Sequence, residues 1–406
     1  MKVYISGISG TGMGPLALMA KQAGYEVCGS DLSKGAIYDE LIKAGIEVKI
    51  GEQDGEFFKS KLENGIDWFV YTSALPKDHP ELLLAKKSNI KCTKRDDFTA
   101  HLVEKLHLKM VAVAGTHGKT TTTSMIIYVA TKAKLPASYI VGTTLGFAPS
   151  GSYHRGDTYF IYEADEYDRN FLKYHPWLSV IPAVSYDHPD IYPTREDYLA
   201  AFRQFESQSR QVIKEGILKE DIKLAGEKRR EDASLAAAAI MTMAPRISEE
   251  EVVNLLNEFP GVGRRFEKIA DGVYSDYAHH PEEIAATIDV ARDEARLKGK
   301  KGIIVVYQPH QNTRQHEVFD GYKNAFVGAD KIFWLPTYLT RENPDLKVLT
   351  PQDFIASLSN SNLAEPATPD DELAERLRQY LADDYLVLMM TAGPADTWLR
   401  DHFAKK

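Results

Sequence analysis

Gly115 and Gly118 frame the segment Val113-Ala114-Gly115-Thr116-His117-Gly118-Lys119-Thr120-Thr121-Thr122-Thr123, which follows the strand-like run Met110 to Val113. Two glycines this close let the backbone turn tightly enough to aim successive N–H groups at one anion. Lys119 adds a point charge, and the helix expected next directs its positive end at the same place. Thr120 then offers a hydroxyl to a magnesium ion on the nucleotide. The spacing G-x-x-x-x-G-K-[ST] is not met, because Val113 occupies the first glycine position. The shorter string Gly115 to Thr122 is the more specific signal, with an ordinary glycine-bearing strand-to-helix turn as its alternative. It predicts a phosphate-binding loop in an α/β domain, with Gly115, Thr116, His117, Gly118, Lys119, Thr120 and Thr121 on the nucleotide.

One such domain does not use up 406 residues, so two or three domains are expected. Short apolar strands alternate with helical stretches from the start: Lys2 to Ser6, Met13 to Ala23, Glu26 to Gly29, Asp39 to Ala44, Glu47 to Ile50 and Trp68 to Tyr71. That rhythm predicts a doubly wound parallel sheet. A second unit starts with the phosphate loop and continues through Tyr159 to Tyr162 and Leu178 to Ala183. Pro260, Gly261 and Gly263 interrupt the helical pattern where it closes. A third has strands at Ile303 to Tyr307, Lys331 to Leu335 and Tyr385 to Met390, with an amphipathic helix over Glu372 to Leu381. The expectation is α/β: three consecutive Rossmann-like or P-loop-like parallel-sheet domains, at 1–107, 108–261 and 262–406.

Two cysteines, Cys28 and Cys92, argue against a disulfide framework or a structural zinc cluster. A formal charge of −9 argues against a general nucleic-acid binder. No apolar stretch reaches the roughly 18 to 20 residues a membrane helix requires, and the chain opens on a strand rather than a signal peptide, so the cytoplasm is expected.

Gly7-Ile8-Ser9-Gly10-Thr11-Gly12-Met13-Gly14 lies between a strand and a helix, and Asp31 ends the next strand. Glycines there admit a diphosphate to the helix N-terminus, and the acidic residue is placed to hold a ribose. A second nucleotide loop downstream makes a nucleotide-linked substrate a better fit than a hydride-carrying dinucleotide. Glu163-Ala164-Asp165-Glu166 follows a strand, the position where α/β folds place catalytic metals, with solvated loop carboxylates as the alternative. Glu163 is the expected magnesium ligand. Asp187-His188-Pro189-Asp190 follows the next strand; His188 is an unusual ligand for magnesium, and zinc or manganese, or a capping role, is its alternative. Arg264 and Arg265 sit at the expected domain boundary, where an arginine neutralises charge on a γ-phosphate unless both are merely solvated. In Asp276-Tyr277-Ala278-His279-His280-Pro281 the consecutive histidines do not share a helix face, so joint chelation is not expected. Asp276 near a ribose and one histidine near the reacting groups is the reading. Arg314, in Gln308-Pro309-His310-Gln311-Asn312-Thr313-Arg314, is placed to clamp a small carboxylate.

In this order, Gly7 to Met13, Ala114 to Thr123, Glu163 to Glu166, Asp187-His188, Arg264-Arg265-Phe266, Asp276 to Pro281 and Gln308 to His310 resemble the blocks of the Mur ligase family over most of the chain. The resemblance implies a first domain for a UDP-sugar, a central ATPase domain, and a C-terminal domain that closes over both. Within the family the likeness is strongest to members that join L-alanine to UDP-N-acetylmuramate, using ATP and Mg2+, through an acyl phosphate. It implies Gly10, Thr11, Gly12, Met13, Asp31, Ser73 and His279 in substrate binding, with His310 and Arg314 near the incoming amino acid. Lys119, His188, Arg264 and His280 fall in catalytic positions; Asp232, Arg265 and Asp276 fall on the nucleotide; Thr120, Glu163 and His188 fall on magnesium. A monomer or weak homodimer is expected, with no nucleic acid or membrane partner. Three departures stand out: Lys228, Arg229 and Asp232 replace the His, Asn and Asn of the adenine block, Asp190 to Gly226 is a short interval, and Gln311 replaces an arginine. A ligase attaching a preformed peptide or another amino acid, and a nucleotide-binding pseudoenzyme or regulatory partner, are the alternatives.

Overall fold

The pentamers Lys-Val-Tyr-Ile-Ser at Lys2–Ser6 and Lys-Met-Val-Ala-Val at Lys109–Val113 bury all but their first residue. Each becomes an inner strand of its own sheet, which is what a near-continuous apolar run covered on both faces requires. The computed structural model describes residues 1–35, 37–72, 75–188, 191–340, 342–343 and 345–404. Three sheets result. The first contains β1 (Lys2–Ser6), β2 (Glu26–Asp31), β3 (Glu47–Ile50), β4 (Trp68–Tyr71) and β5 (Lys91–Lys94), all parallel, in the order β3-β2-β1-β4-β5. The second contains β6 (Lys109–Val113), β7 (Ala137–Ile140), β8 (Gly151–Ser152), β9 (Tyr159–Glu163), β10 (Leu178–Val180) and β11 (Val212–Ile213), in the order β11-β10-β6-β9-β7-β8. The third contains β12 (Glu267–Ala270), β13 (Val273–Asp276), β14 (Gly302–Gln308), β15 (Lys331–Trp334), β16 (Ala364–Pro366) and β17 (Tyr385–Thr391), in the order β12-β13-β17-β14-β15-β16.

The expected α/β class holds, with one correction: the second and third sheets each carry an antiparallel edge, β8 on β7 and β12 on β13. The run Leu178 to Ala183 is strand only to Val180, since Pro182 has no N–H for a ladder. The helix read over Glu372 to Leu381 spans Asp371–Ala382, and Asp370 caps it by accepting from the Leu373 N–H at 3.0 Å.

The chain divides into two compact units, 1–222 with 231–259, and 223–230 with 260–406. The first unit holds the first two sheets on one shared core, which runs from Val3 and Leu16 to Phe171 and Phe205. Gly151 in β8 lies against the helix Met13–Gln22 so closely that a Cβ there would overlap the Pro15 carbonyl. In the first sheet the strand order reverses between β1 and β4, which puts the Gly7–Gly14 turn at the crevice where doubly wound sheets bind ligands. In the second sheet β6 lies between β10 and β9. The phosphate loop, Glu163 and the segment leading to His188 therefore leave neighbouring strand ends. In the second unit β17 lies between β13 and β14, so Asp276, Thr391 and Gln308 end three adjacent strands.

Candidate functional site

β6 ends at Val113 and the helix Lys119–Lys132 begins five residues after Ala114. The turn between them demands its glycines. Gly115 has φ +158° and a Cβ there would stand 2.6 Å from the Ala183 carbonyl; Gly118 has φ +80°, with Asp232 Oδ1 at 2.5 Å from its Cβ position. Thr116 fastens the loop: its N–H donates to Ala183 O (2.8 Å), and its hydroxyl donates to Ser185 O (2.7 Å) and accepts from the Ser185 N–H (2.9 Å). His117 is exposed and Thr121 half-buried. Asp232, 3% exposed, is thus packed against the loop glycine itself.

Lys119 Nζ donates to the Gly115 carbonyl at 2.6 Å and lies 2.8 Å from Glu166 Oε2. Glu166 is 1% exposed; burial raises its pKa against the opposing pull of the Lys119 ammonium. His188, at φ +57°, brings Nε2 to 3.7 Å from Glu166 Oε1. Thr120 donates its hydroxyl to Glu163 Oε1 at 2.9 Å. One hydroxyl and one carboxylate side by side form a hard oxygen donor set, and Mg2+ ordinarily completes such a partial set with water and phosphate oxygens. The donor chemistry of Thr120 and Glu163 therefore fits the ion, whereas the imidazole of His188 is a softer ligand. Among the described residues no group of three or more His, Cys, Asp and Glu side chains is arranged to hold a metal by itself.

At the first sheet's crevice, Gly7, φ +80°, and Ile8 donate their N–H groups to Ser30 O at 2.8 and 3.1 Å, and Ser9 N–H donates to Asp31 Oδ2 at 2.8 Å. Asp31 therefore braces the turn that contains Gly10, Thr11, Gly12 and Met13. The helix Met13–Gln22 has no side-chain cap and no acidic residue in its first turn. Ser73 lies outside the described residues. Glu81, Arg95 and Asp96 are functional candidates that sequence reasoning missed. Glu81, 1% exposed, accepts from Tyr4, Ser6 and Ser30 hydroxyls at 2.6 to 2.7 Å, and so holds the ends of β1 and β2 together. Glu166 belongs to a segment singled out from the sequence, but its contact with Lys119 had no local signal.

In the second unit Arg264, at φ +55°, donates Nη2 to Thr391 O at 2.6 Å and stacks 4.6 Å from the Tyr277 ring centre, while Arg265 lies 5.5 Å from the same ring. Asp276, 6% exposed, accepts from the N–H groups of Phe266 (2.6 Å) and Ala278 (2.8 Å); burial raises its pKa, and Arg265 pulls the other way. Glu283 accepts from the N–H groups of His279 and His280 at 3.1 and 3.3 Å, anchoring the start of the helix Pro281–Leu297. His280 lines a groove of about 510 Å³ with Glu282, Glu317 and Asp320; neither His279 nor His310 lines it. His279 and His310 have ring centres 6.4 Å apart. Burial lowers both pKa values, and the Arg314 charge lowers them further. Gln311, at φ +68°, precedes the helix Asn312–Val318, and its N–H donates to Tyr338 O at 2.8 Å.

Three family models match in series: the Mur ligase family catalytic domain over residues 2–107, the Mur ligase middle domain over 113–231, and the Mur ligase glutamate ligase domain over 264–393. UDP-N-acetylmuramate–L-alanine ligase of Clostridium acetobutylicum is 31% identical over 449 aligned positions, covering 97% of this chain and 95% of its own. The protein of that name from Syntrophomonas wolfei is 32% identical, covering 98% and 95%. Among solved structures, UDP-N-acetylmuramate–alanine ligase of Thermotoga maritima superposes with a TM-score of 0.78 at 21% identity, covering 99% of this chain and 98% of that one. A murein peptide ligase of Psychrobacter arcticus gives 0.61 at 21% identity, with the same coverage. The order of the sheets, the loop chemistry and these full-length similarities agree, and the chain belongs to the Mur ligase family.

Proposed function

We propose that the protein joins L-alanine to UDP-N-acetylmuramate in an ATP-dependent reaction, as an early step of peptidoglycan precursor synthesis. The observation that carries this reading is the convergence of Lys119, Thr120 and Glu163 beside the β6 loop, in a chain whose relatives over nearly their whole length bear that activity in their names. On this reading the domains are 1–107 for the UDP-sugar, 108–261 for ATP and 262–406 for ligation, and the protein works in the cytoplasm as a monomer or weak homodimer. No described helix is long and apolar enough to cross a membrane.

The lactyl carboxylate attacks the γ-phosphorus of ATP, giving an acyl phosphate and ADP. The alanine amine then attacks the acyl carbon, and inorganic phosphate leaves as the tetrahedral intermediate collapses. The first step concentrates charge on the transferring phosphoryl group, so positioning and neutralisation dominate its catalysis. Lys119 serves that need by exchanging the Gly115 carbonyl and Glu166 for phosphate oxygens, and the loop N–H groups hold the remaining oxygens. Thr120 and Glu163 would hold Mg2+, which when bound supplies further neutralisation of phosphate charge. Arg264, Arg265, Asp232 and Asp276 are assigned to the nucleotide, and His279, His310 and Arg314 to the amino acid. Arg314 suits a carboxylate, and the neutral state favoured at His279 and His310 suits acceptance of the amine's proton. His188 and His280 remain assigned to the reacting groups.

A peptide acceptor is the second reading. The observation favouring it is Gln311 at the place where the family resemblance expects an arginine. Incubation with ATP, Mg2+, UDP-N-acetylmuramate and single amino acids, followed by phosphate release and product mass, tests both. A mass gain of one alanine, dependent on both substrates, is expected; product only with di- or tripeptides would establish the second reading.

A further inference from the structure

Arg95 lies where a cation is electrostatically misplaced. It opens the helix Arg95–Lys105 directly after β5, and its Nη1 stands 2.5 Å from the position a Cβ on Gly12 would occupy. Gly12 is the N-cap of the helix Met13–Gln22, whose first turn contains no acidic residue and whose end has no capping side chain. A guanidinium at the positive end of an uncapped helix is repelled by it, unless an anion sits between them.

The arginine is held there from behind. Its Nε and Nη2 donate to Asp96 Oδ1 at 3.2 and 3.1 Å, and that same oxygen accepts from Tyr174 (3.0 Å) and Tyr162 (3.3 Å). Asp96 is 2% exposed, so this anchor is rigid and dry. Nη1 carries no hydrogen bond among the described residues, and a quarter of the Arg95 side chain remains open to solvent. The turn itself, Gly7 to Gly14, contains no basic residue. Within it the Ser9 hydroxyl is buried without a hydrogen-bond partner. An anion seated on the turn would face the helix N-terminus on one side and Arg95 on the other.

We propose that Arg95 is the cationic ligand of the diphosphate of the UDP-sugar, preset by Asp96 and admitted to the turn by the absence of a side chain at Gly12. The assignment rests on the reading of the first domain as a UDP-sugar site. It also gives a reason for Gly12 that the turn's backbone does not, since Gly12 has a helical φ of −93°.

The test is calorimetric titration of the full-length protein with UDP and, separately, with ATP. In Arg95→Gln the dissociation constant for UDP should rise about tenfold or more, the loss expected for a charge-assisted contact, while that for ATP stays within about twofold. Arg95→Lys keeps the charge without the fork held by Asp96 and should weaken UDP by an intermediate factor. If Arg95→Gln unfolds, ATP binding is lost as well, and the lysine variant then decides. Unchanged UDP affinity in a variant that still binds ATP would overturn the assignment. A wild-type protein that binds ATP but neither UDP nor UDP-N-acetylmuramate would instead overturn the UDP-sugar reading, and the role of Arg95 with it.

Discussion

Replacing Gly118 with alanine separates two costs that the phosphate loop avoids. The first is conformational: at φ +80° a residue with a Cβ is disfavoured by about 1 to 2 kcal/mol. The second is steric. The new methyl would stand 2.5 Å from Asp232 Oδ1, closer than carbon tolerates, and 3.0 Å from Pro182 Cβ, which would have to give way by a few tenths of an ångström, and relieving such overpacking costs about 1 to 3 kcal/mol. Together they give about 2 to 5 kcal/mol, enough to move the turn. A turn that moves by a few tenths of an ångström misdirects the N–H groups aimed at phosphate, so the ATP concentration at half-maximal rate should rise at least about tenfold. Urea unfolding and ATP kinetics would be measured for Gly118→Ala, Asp232→Ala and the double variant. In that cycle Asp232→Ala removes the Asp232 share of the steric part but neither the Pro182 share nor the dihedral part, so a coupling of about 1 kcal/mol is expected between the two sites. Full additivity, or a Gly118→Ala protein with wild-type ATP kinetics, would refute the geometry that places Asp232 against the loop.

Lys119→Ala should lower ATP turnover at least about a hundredfold by phosphate release, and should destabilise the fold by about 3 kcal/mol or more in urea, because Glu166 would be left buried without its cation. Chelation of divalent cations should stop phosphate release while leaving UDP binding measured by calorimetry unchanged; full activity in EDTA would remove the assignment of Thr120 and Glu163. Gln311→Arg should lower the L-alanine concentration for half-maximal rate by about tenfold, the gain of one charge-assisted contact, and an unchanged value would separate this segment from the amino acid. His279 and His310 titrate below the ordinary imidazole value of 6.5 in the folded protein. As pH falls, the unfolded chain therefore binds protons first, so their contribution to stability is complete above about pH 6.5 and is lost below it. In Arg314→Gln both histidine midpoints should move upward by NMR, shrinking that acid sensitivity; unmoved midpoints would show that Arg314 does not face them.

What the sequence discloses is what the chain encodes locally. The turn from Gly115 to Thr120 is legible because its glycines, its lysine and the helix that follows are contiguous, and one strand-to-helix connection sets all their positions. The antiparallel edge strands and β5 were not legible for the opposite reason. Lys91–Lys94 reads Lys-Cys-Thr-Lys and has no buried residue, so it is a strand only because β4 lies beside it. The same divide runs through the site. Thr120 and Glu163 were read from separate motifs, yet their 2.9 Å contact follows from the pairing of β6 with β9, register Val113 to Glu163. Glu81 and Arg95 gave no signal, because a glutamate in a first helical turn and an arginine after a lysine are ordinary surface residues by composition. Their chemistry appears only when distant segments are brought to the carboxyl ends of the first sheet: Glu81 between Ser6 and Ser30, Arg95 beside Gly12. Motifs therefore locate the atoms that one loop and its helix bring together. The charges that balance the bound ligand come from elsewhere in the chain, and sheet order, more than any local pattern, decides which ones arrive.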